Sequence, residues 1–94
     1  MNIEVTPRAA QWFIKELDLV PGDTIRFFGK VYGTRDGFSF GMVKESPTRK
    51  SISTTVHDIE FYIERSDEWF FNHLKFTVDY DPERNEPSYH YETL

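Results

Sequence analysis

The sequence predicts a mainly β protein with an N-terminal helix and a second, short helix, its twisted antiparallel sheets forming a pseudo-barrel or sandwich. Three observations carry this expectation. From Thr24 onward apolar residues recur mostly with a period of two, as on a half-buried strand. One early stretch instead has the i, i+3, i+4, i+7 spacing of an amphipathic helix. Aromatic residues make up 17% of the chain, nine of them Phe, so the core is aromatic and the chain is too apolar to be disordered.

Ile3 and Val5 alternate with polar neighbours and open the chain as a short strand. Thr6 followed by Pro7 reads as a helix N-cap and a proline at the first helical position, where a missing N–H costs nothing. Ala10, Phe13, Ile14 and Leu17 form the apolar stripe of that helix, and Arg8, Gln11, Lys15 and Glu16 its wet side. It is expected to stop near Asp18 to Leu19, ahead of the Pro21-Gly22 turn.

In the next strand Ile25, Phe27 and Val31 share one face, and Arg26, Phe28, Lys30 and Tyr32 the other. Gly29 interrupts the first face, which implies a bulge or a close approach of another group to the backbone. The loop that follows, Tyr32 to Gly37, feeds a strand through Phe38, Phe40 and Met42, so a hairpin joins the two. Residues 45–51 are a polar surface loop. Ile52 to Val56 and Ile59 to Glu64 are two further strands with His57-Asp58 as their two-residue turn. Ser66-Asp67-Glu68-Trp69-Phe70-Phe71 reads as the short helix, with Ser66 as N-cap and acids in the first turn. Leu74, Phe76, Val78 and Tyr80 give the last clear strand. Residues 81–94, with two prolines and then Tyr89-His90-Tyr91, are expected to be a flexible tail of a single domain spanning 1–94.

Composition limits function. A net charge of −5 and a pI near 5.1 lack the basic footprint that phosphate backbones require, so no nucleic-acid partner is expected. The same sign argues against anionic membrane surfaces, and no run approaches the ~20 apolar residues of a membrane span. Met1 to Val5 has neither the basic nor the apolar region of a signal peptide, so the expected location is cytoplasmic. The chain contains no cysteine, which excludes disulfides, thiolate nucleophiles and cysteine-ligated metal sites within it.

Several segments together resemble the HesB-like fold of the A-type iron–sulfur carriers. Ile3-Glu4-Val5-Thr6 ahead of Ala9-Ala10 is similar to that family's opening strand and helix start. Thr24-Ile25-Arg26-Phe27 resembles the strand leading to its ligand loop, Gly33 to Gly41 the loop holding its first cysteine, and Phe76 to Tyr80 the strand before its Cys-Gly-Cys tail. Trp12-Phe13, Arg26-Phe27-Phe28 and Gly37-Phe38-Ser39 are similar to a cysteine-less branch of small HesB-like proteins from Gram-positive bacteria. The resemblance implies a place beside iron–sulfur cluster biogenesis. However, Thr34, Arg35 and Asp36 stand where the family keeps its loop cysteine, and Tyr89-His90-Tyr91-Glu92 where it keeps its tail. Neither set supplies the thiolates that hold a cluster.

The functional expectation is therefore a non-enzymatic accessory or binding protein with no cofactor and no metal, acting through the loop (Thr34, Arg35, Asp36) and the tail (His90). The alternative is a metal- or small-ligand-binding protein using Asp36 and His90, with Glu92 nearby in sequence, since imidazole and carboxylate suit harder metals. Asp67 and Glu68 are accounted for by a first helical turn, and His57-Asp58 by a turn. No nucleophile elbow, phosphate loop or dinucleotide fingerprint is present, so an enzyme is not expected. Phe28, Tyr32, Tyr62, Trp69, Phe70 and Phe71 exceed what one face of a small core needs. The surplus points to an interface, with a partner protein or in a homodimer.

Overall fold

The computed structural model describes residues 1–31 and 38–94. Strand β1 (Asn2–Val5) leads into helix α1 (Pro7–Leu17), followed by β2 (Thr24–Val31), β3 (Phe38–Lys44), β4 (Lys50–Val56) and β5 (Ile59–Glu64). A 3-10 turn (Arg65–Asp67) runs into the short helix α2 (Glu68–Phe71), and β6 (Leu74–Asp81) and β7 (Glu86–Thr93) close the chain. The fold class expected from the sequence is the one observed: mainly β, with one N-terminal and one short helix.

Two sheets share the core. One has the order β1-β6-β7, the other β3-β2-β5-β4. The β2–β3, β4–β5 and β6–β7 pairs are antiparallel, whereas β1 pairs β6 and β2 pairs β5 in parallel. The sheets are thus mixed rather than antiparallel throughout. The parallel pairs join strands far apart in sequence, as parallel neighbours require: helix α1 lies among the elements between β1 and β6, and strands β3 and β4 lie between β2 and β5. β1 and β4 lie side by side, joining the two sheets along one seam.

Helix α1 begins as its sequence predicts. The Thr6 hydroxyl accepts from the Ala9 N–H at 3.3 Å, and Pro7 occupies the first turn. It ends at Asp18, in the left-handed region at φ 50°, where the amides of Asp18 and Leu19 both return to the Ile14 carbonyl. Ala9, Ala10 and Phe13 are fully buried, while Ile14 and Leu17 flank them half-covered, so the stripe is centred one position further round than the spacing alone implies. Phe13 sits within 6 Å, centroid to centroid, of both Phe27 and Phe61, which stack on each other at 5.8 Å and 13°. Phe76 and Tyr89 extend the same cluster from the other sheet. Such offset and edge-on contacts are the favoured geometries of aromatic pairs.

His57 and Asp58 both have positive φ, 52° and 64°, as a two-residue hairpin turn demands. Glu64, almost fully buried, turns its carboxylate onto the amides of Thr48 and Arg49, so the polar loop after β3 is tied to the end of β5. Ser66 is not the N-cap of α2: the 3-10 turn intervenes, and Asp67 is occupied by Arg26 instead.

The largest departure from the expected architecture is at 81–94. Rather than a flexible tail, Glu86–Thr93 is a full strand in unbroken register with β6, from Leu74↔Thr93 to Asp81↔Glu86. Asn85, at φ 52°, makes the reversal, and Tyr89 turns inward onto Phe27, Phe40 and Phe76. Burying that ring supplies the hydrophobic contact a pairing strand needs.

Candidate functional site

The hairpin of β2 and β3 is built around two glycines that accept rings. Gly29, on the core face of β2, is covered by Phe70 of α2: a Cβ at Gly29 would meet the Phe70 ring at 2.3 Å. This is the close approach its broken alternation implies. On the opposite face Phe28 lies over Gly41, where a Cβ would come within 2.7 Å of the ring. The guanidinium of Arg26 and the ammonium of Lys30 stand 5.5 Å and 5.7 Å from the Phe28 ring centroid, within cation–π range.

From Phe70 the aromatic contacts continue outward. Trp69 meets Phe70 edge-on at 5.6 Å, Phe70 meets Phe40 at 5.6 Å, and Phe40 meets Tyr91 at 5.6 Å. Trp69 is 67% exposed and Tyr91 49%. Both lie beside the base of the hairpin, since Phe70 rests on β2 and Phe40 belongs to β3. Of the aromatics marked by the sequence, Tyr62 and Phe71 are fully buried and serve the core, while Tyr32 lies outside the described residues. Among the described ones, Trp69 is the one that stands in solvent.

The loop candidates Thr34, Arg35 and Asp36 also lie outside the described residues. The tail candidate His90 is on β7, opposite Thr77, and exposed. Alternation along β7 turns Tyr89 and Tyr91 toward Phe40 and puts Ser88, His90 and Glu92 on the other face. The imidazole Nε2 is 3.2 Å from the Ser88 hydroxyl, and the neighbours across the strand are Thr77 and Lys75, whose ammonium is 3.9 Å from Glu92. Sequence reasoning named His90 but not its face, although the Tyr89/Tyr91 alternation carries that information.

Charges away from this end serve the scaffold. Arg26 donates to Asp67 at 2.7 and 2.9 Å and to Glu45 at 3.0 Å, fixing the 3-10 turn and the loop after β3 on β2. Glu68 accepts from the Ser51 hydroxyl at 2.8 Å. Burial, helped by the charges of Glu45 and Glu64, pushes the Tyr62 hydroxyl up to about 12 while it donates to the Glu45 carbonyl. Asp79 accepts from both the Nε and Nη2 of Arg8, from Thr6 and from its neighbour's amide. These contacts, Arg8 first, hold its carboxyl well below the usual range.

An iron–sulfur cluster does not fit these residues. The chain has no thiolate to offer, and among the described residues no three His, Asp or Glu side chains converge. Nor does any described helix have the length and apolarity to cross a membrane. Beside the base of the hairpin stands an exposed tryptophan, Trp69.

In class, then, this is the fold of the A-type iron–sulfur carriers with their cluster ligands absent. Two solved structures share it at a TM-score of 0.58: IscA with its [2Fe-2S] cluster, at 13% identity over 97% of this chain and 81% of that one, and Escherichia coli SufA, involved in the biosynthesis of iron–sulfur clusters, at 19% over 99% and 86%. No family model matches the sequence. A protein of Bacillus subtilis named pyruvate dehydrogenase inhibitor is 35% identical over 98% of this chain and 100% of its own length. An uncharacterised Staphylococcus epidermidis protein is 34% identical over 84% of this chain and 87% of its own. The chain belongs to the family of small Gram-positive proteins that includes this pyruvate dehydrogenase inhibitor.

Proposed function

We propose that this protein is a non-enzymatic regulator that binds a pyruvate dehydrogenase and lowers its activity. The observation that carries this reading is the 35% identity, over essentially the whole of both chains, with the relative bearing that name. The chemistry of the chain agrees with it. A carrier scaffold stripped of thiolates keeps its shape and loses its cargo site, which leaves recognition as its use.

The contact surface in this reading is centred on the β2–β3 hairpin, with Trp69 beside its base and the loop residues Thr34, Arg35 and Asp36 joining its strands; His90, on the face of β7 turned away from Phe40, is a separate contact. Tryptophan is a residue type over-represented where binding energy concentrates, and Trp69 is exposed. The test is to add the purified protein to the pyruvate dehydrogenase complex of its own source. A saturable fall in turnover, with a complex recovered by size exclusion, is the expected result. Unchanged turnover together with no complex at saturating concentration would overturn the reading.

A further inference from the structure

The loop after β3 and the turn before α2 meet around one buried charge. Glu64, at the end of β5, is 8% exposed, and its carboxylate accepts from the backbone amides of Thr48 and Arg49. The Arg65 amide donates to the Arg49 carbonyl at 2.8 Å, so the backbones of the two arginines are adjacent. Between these segments lies an open cleft of about 330 Å³, lined by Thr48, Arg49, Glu64, Arg65 and Ser66. That is at the small end of the range for small-molecule sites, roughly 300–1,000 Å³.

The charges in this cleft are incompletely matched. A buried carboxylate ordinarily keeps a cation close, because taking it out of water is costly and amides offset only part of that cost. Neither guanidinium reaches Glu64: Arg65 turns toward Glu68, 3.9 Å away, and Arg49 has no ionic partner among the described residues. The two oxygens of the Glu64 carboxylate are also unequally used. Oε1 accepts from both amides, from Thr48 at 3.0 Å, whereas Oε2 has only a 3.2 Å share of the Thr48 amide. The hydroxyls of Thr48 and Ser66 make no hydrogen bond to the described residues.

We propose that this cleft binds a free α-amino acid as its zwitterion, with the carboxylate on Arg49 and Arg65 and the ammonium on Glu64. The signs of the lining charges decide the class of ligand. A bare oxyanion between the guanidiniums would sit against the Glu64 carboxylate, and a bare ammonium on Glu64 would sit against two guanidiniums. A ligand with both charges on neighbouring atoms meets each with its opposite. Guanidinium forks match a carboxylate in planar, two-point geometry. The ammonium donates to Oε2, the less-used oxygen of Glu64, and to the hydroxyls of Thr48 and Ser66. Because the cleft is open, the side chain of the amino acid points to solvent, and the site selects for the charged backbone groups rather than for one side chain.

This inference stands independently of the proposed function. Amide NMR of the full chain titrated with glycine tests it, with acetate and methylammonium as controls that each carry one half of the zwitterion. Glycine is expected to shift the Thr48, Arg49, Arg65 and Ser66 amides saturably. Each half-ligand should bind about tenfold more weakly or worse at the same ionic strength. Arg49→Gln and Arg65→Gln alter exposed side chains and leave the amides that Glu64 accepts from in place. Each is expected to weaken glycine about tenfold or more, while thermal melting stays as in the parent. No saturable shift with either glycine or L-alanine overturns the proposal. So does acetate binding as tightly as glycine, the mark of a simple anion site, or a glycine response that survives both variants, the mark of a ligand bound elsewhere.

Discussion

Phe70 lies flat against the backbone of Gly29: a single methyl group at that glycine would stand 2.3 Å from the ring. No neighbouring side chain can relieve this cheaply, because Phe70 is itself packed against Phe71, Phe40 and Trp69. Gly29→Ala is therefore expected to destabilise the protein by about 1–3 kcal/mol, the usual cost of overpacking. Chemical denaturation measures it. The cause is isolated by a double-mutant cycle with Phe70→Ala, where the alanine at 29 should become nearly neutral. A Gly29→Ala cost that persists in the Phe70→Ala background would assign it to the strand backbone instead.

Much of this architecture is legible in the sequence where the signal is local. Thr6-Pro7 opens α1, His57-Asp58 makes the hairpin turn, and the gap that Gly29 leaves in a regular alternation announces the ring above it. What the sequence conceals is non-local. That β1 pairs with β6 and β2 with β5, both in parallel, depends on which strands meet, and no dipeptide encodes that. The tail illustrates a different failure. Pro82, Pro87 and a run of charges suggest a link, yet the alternation of Tyr89 and Tyr91 already marks an inward face. For the candidate site, the loss of thiolates is plain in the sequence, whereas the exposure of Trp69 against the burial of Phe71, two positions on, is decided only by how α2 lies on β2.

Acid stability should register the Asp79 cluster. Its carboxyl is held below the ordinary value by Arg8, then by the Tyr80 amide and the Thr6 hydroxyl. A depressed folded-state value adds stability that is complete above the unfolded value, about 3.9, and is lost as pH falls from there toward the lower folded value. Unfolding free energy is thus expected to drop on acidification below about pH 4, and Asp79→Asn should lower stability at neutral pH and flatten that part of the curve. Thermal melts at a series of pH values decide it. Parallel curves for parent and variant would remove Asp79 from the acid limb.

The alkaline limb belongs to two tyrosines. Burial pushes the hydroxyls of both Tyr62 and Tyr89 up to about 12, the former also facing Glu45 and Glu64 and the latter Glu86. In the unfolded chain each ionises near 10, so between about 10 and about 12 the unfolded state releases protons that the folded state keeps. Stability must fall as pH rises through that window. Ultraviolet titration of the phenolate should show these two tyrosines ionising late, with Tyr62→Phe and Tyr89→Phe each removing one late step. Complete ionisation near pH 10 with the fold intact would contradict their burial.

Trp69 separates the scaffold from the surface. At 67% exposure its indole contributes little to the core, so Trp69→Ser should change stability by no more than about 0.5 kcal/mol. If the hairpin end is where pyruvate dehydrogenase is bound, the same change removes an anchor of the kind that carries about 2 kcal/mol or more, on the order of a thirtyfold loss of affinity. Val20 provides the contrast. It is 58% exposed but precedes β2, at the end of that strand away from Gly29 and Phe70, so Val20→Ser should leave binding as it is. Titrating parent and both variants against the enzyme complex compares them directly. If the parent inhibits and Trp69→Ser inhibits equally well, the regulator reading survives and the contact surface lies elsewhere. If Val20→Ser alone loses affinity, binding belongs to the opposite end of β2, where α1 ends.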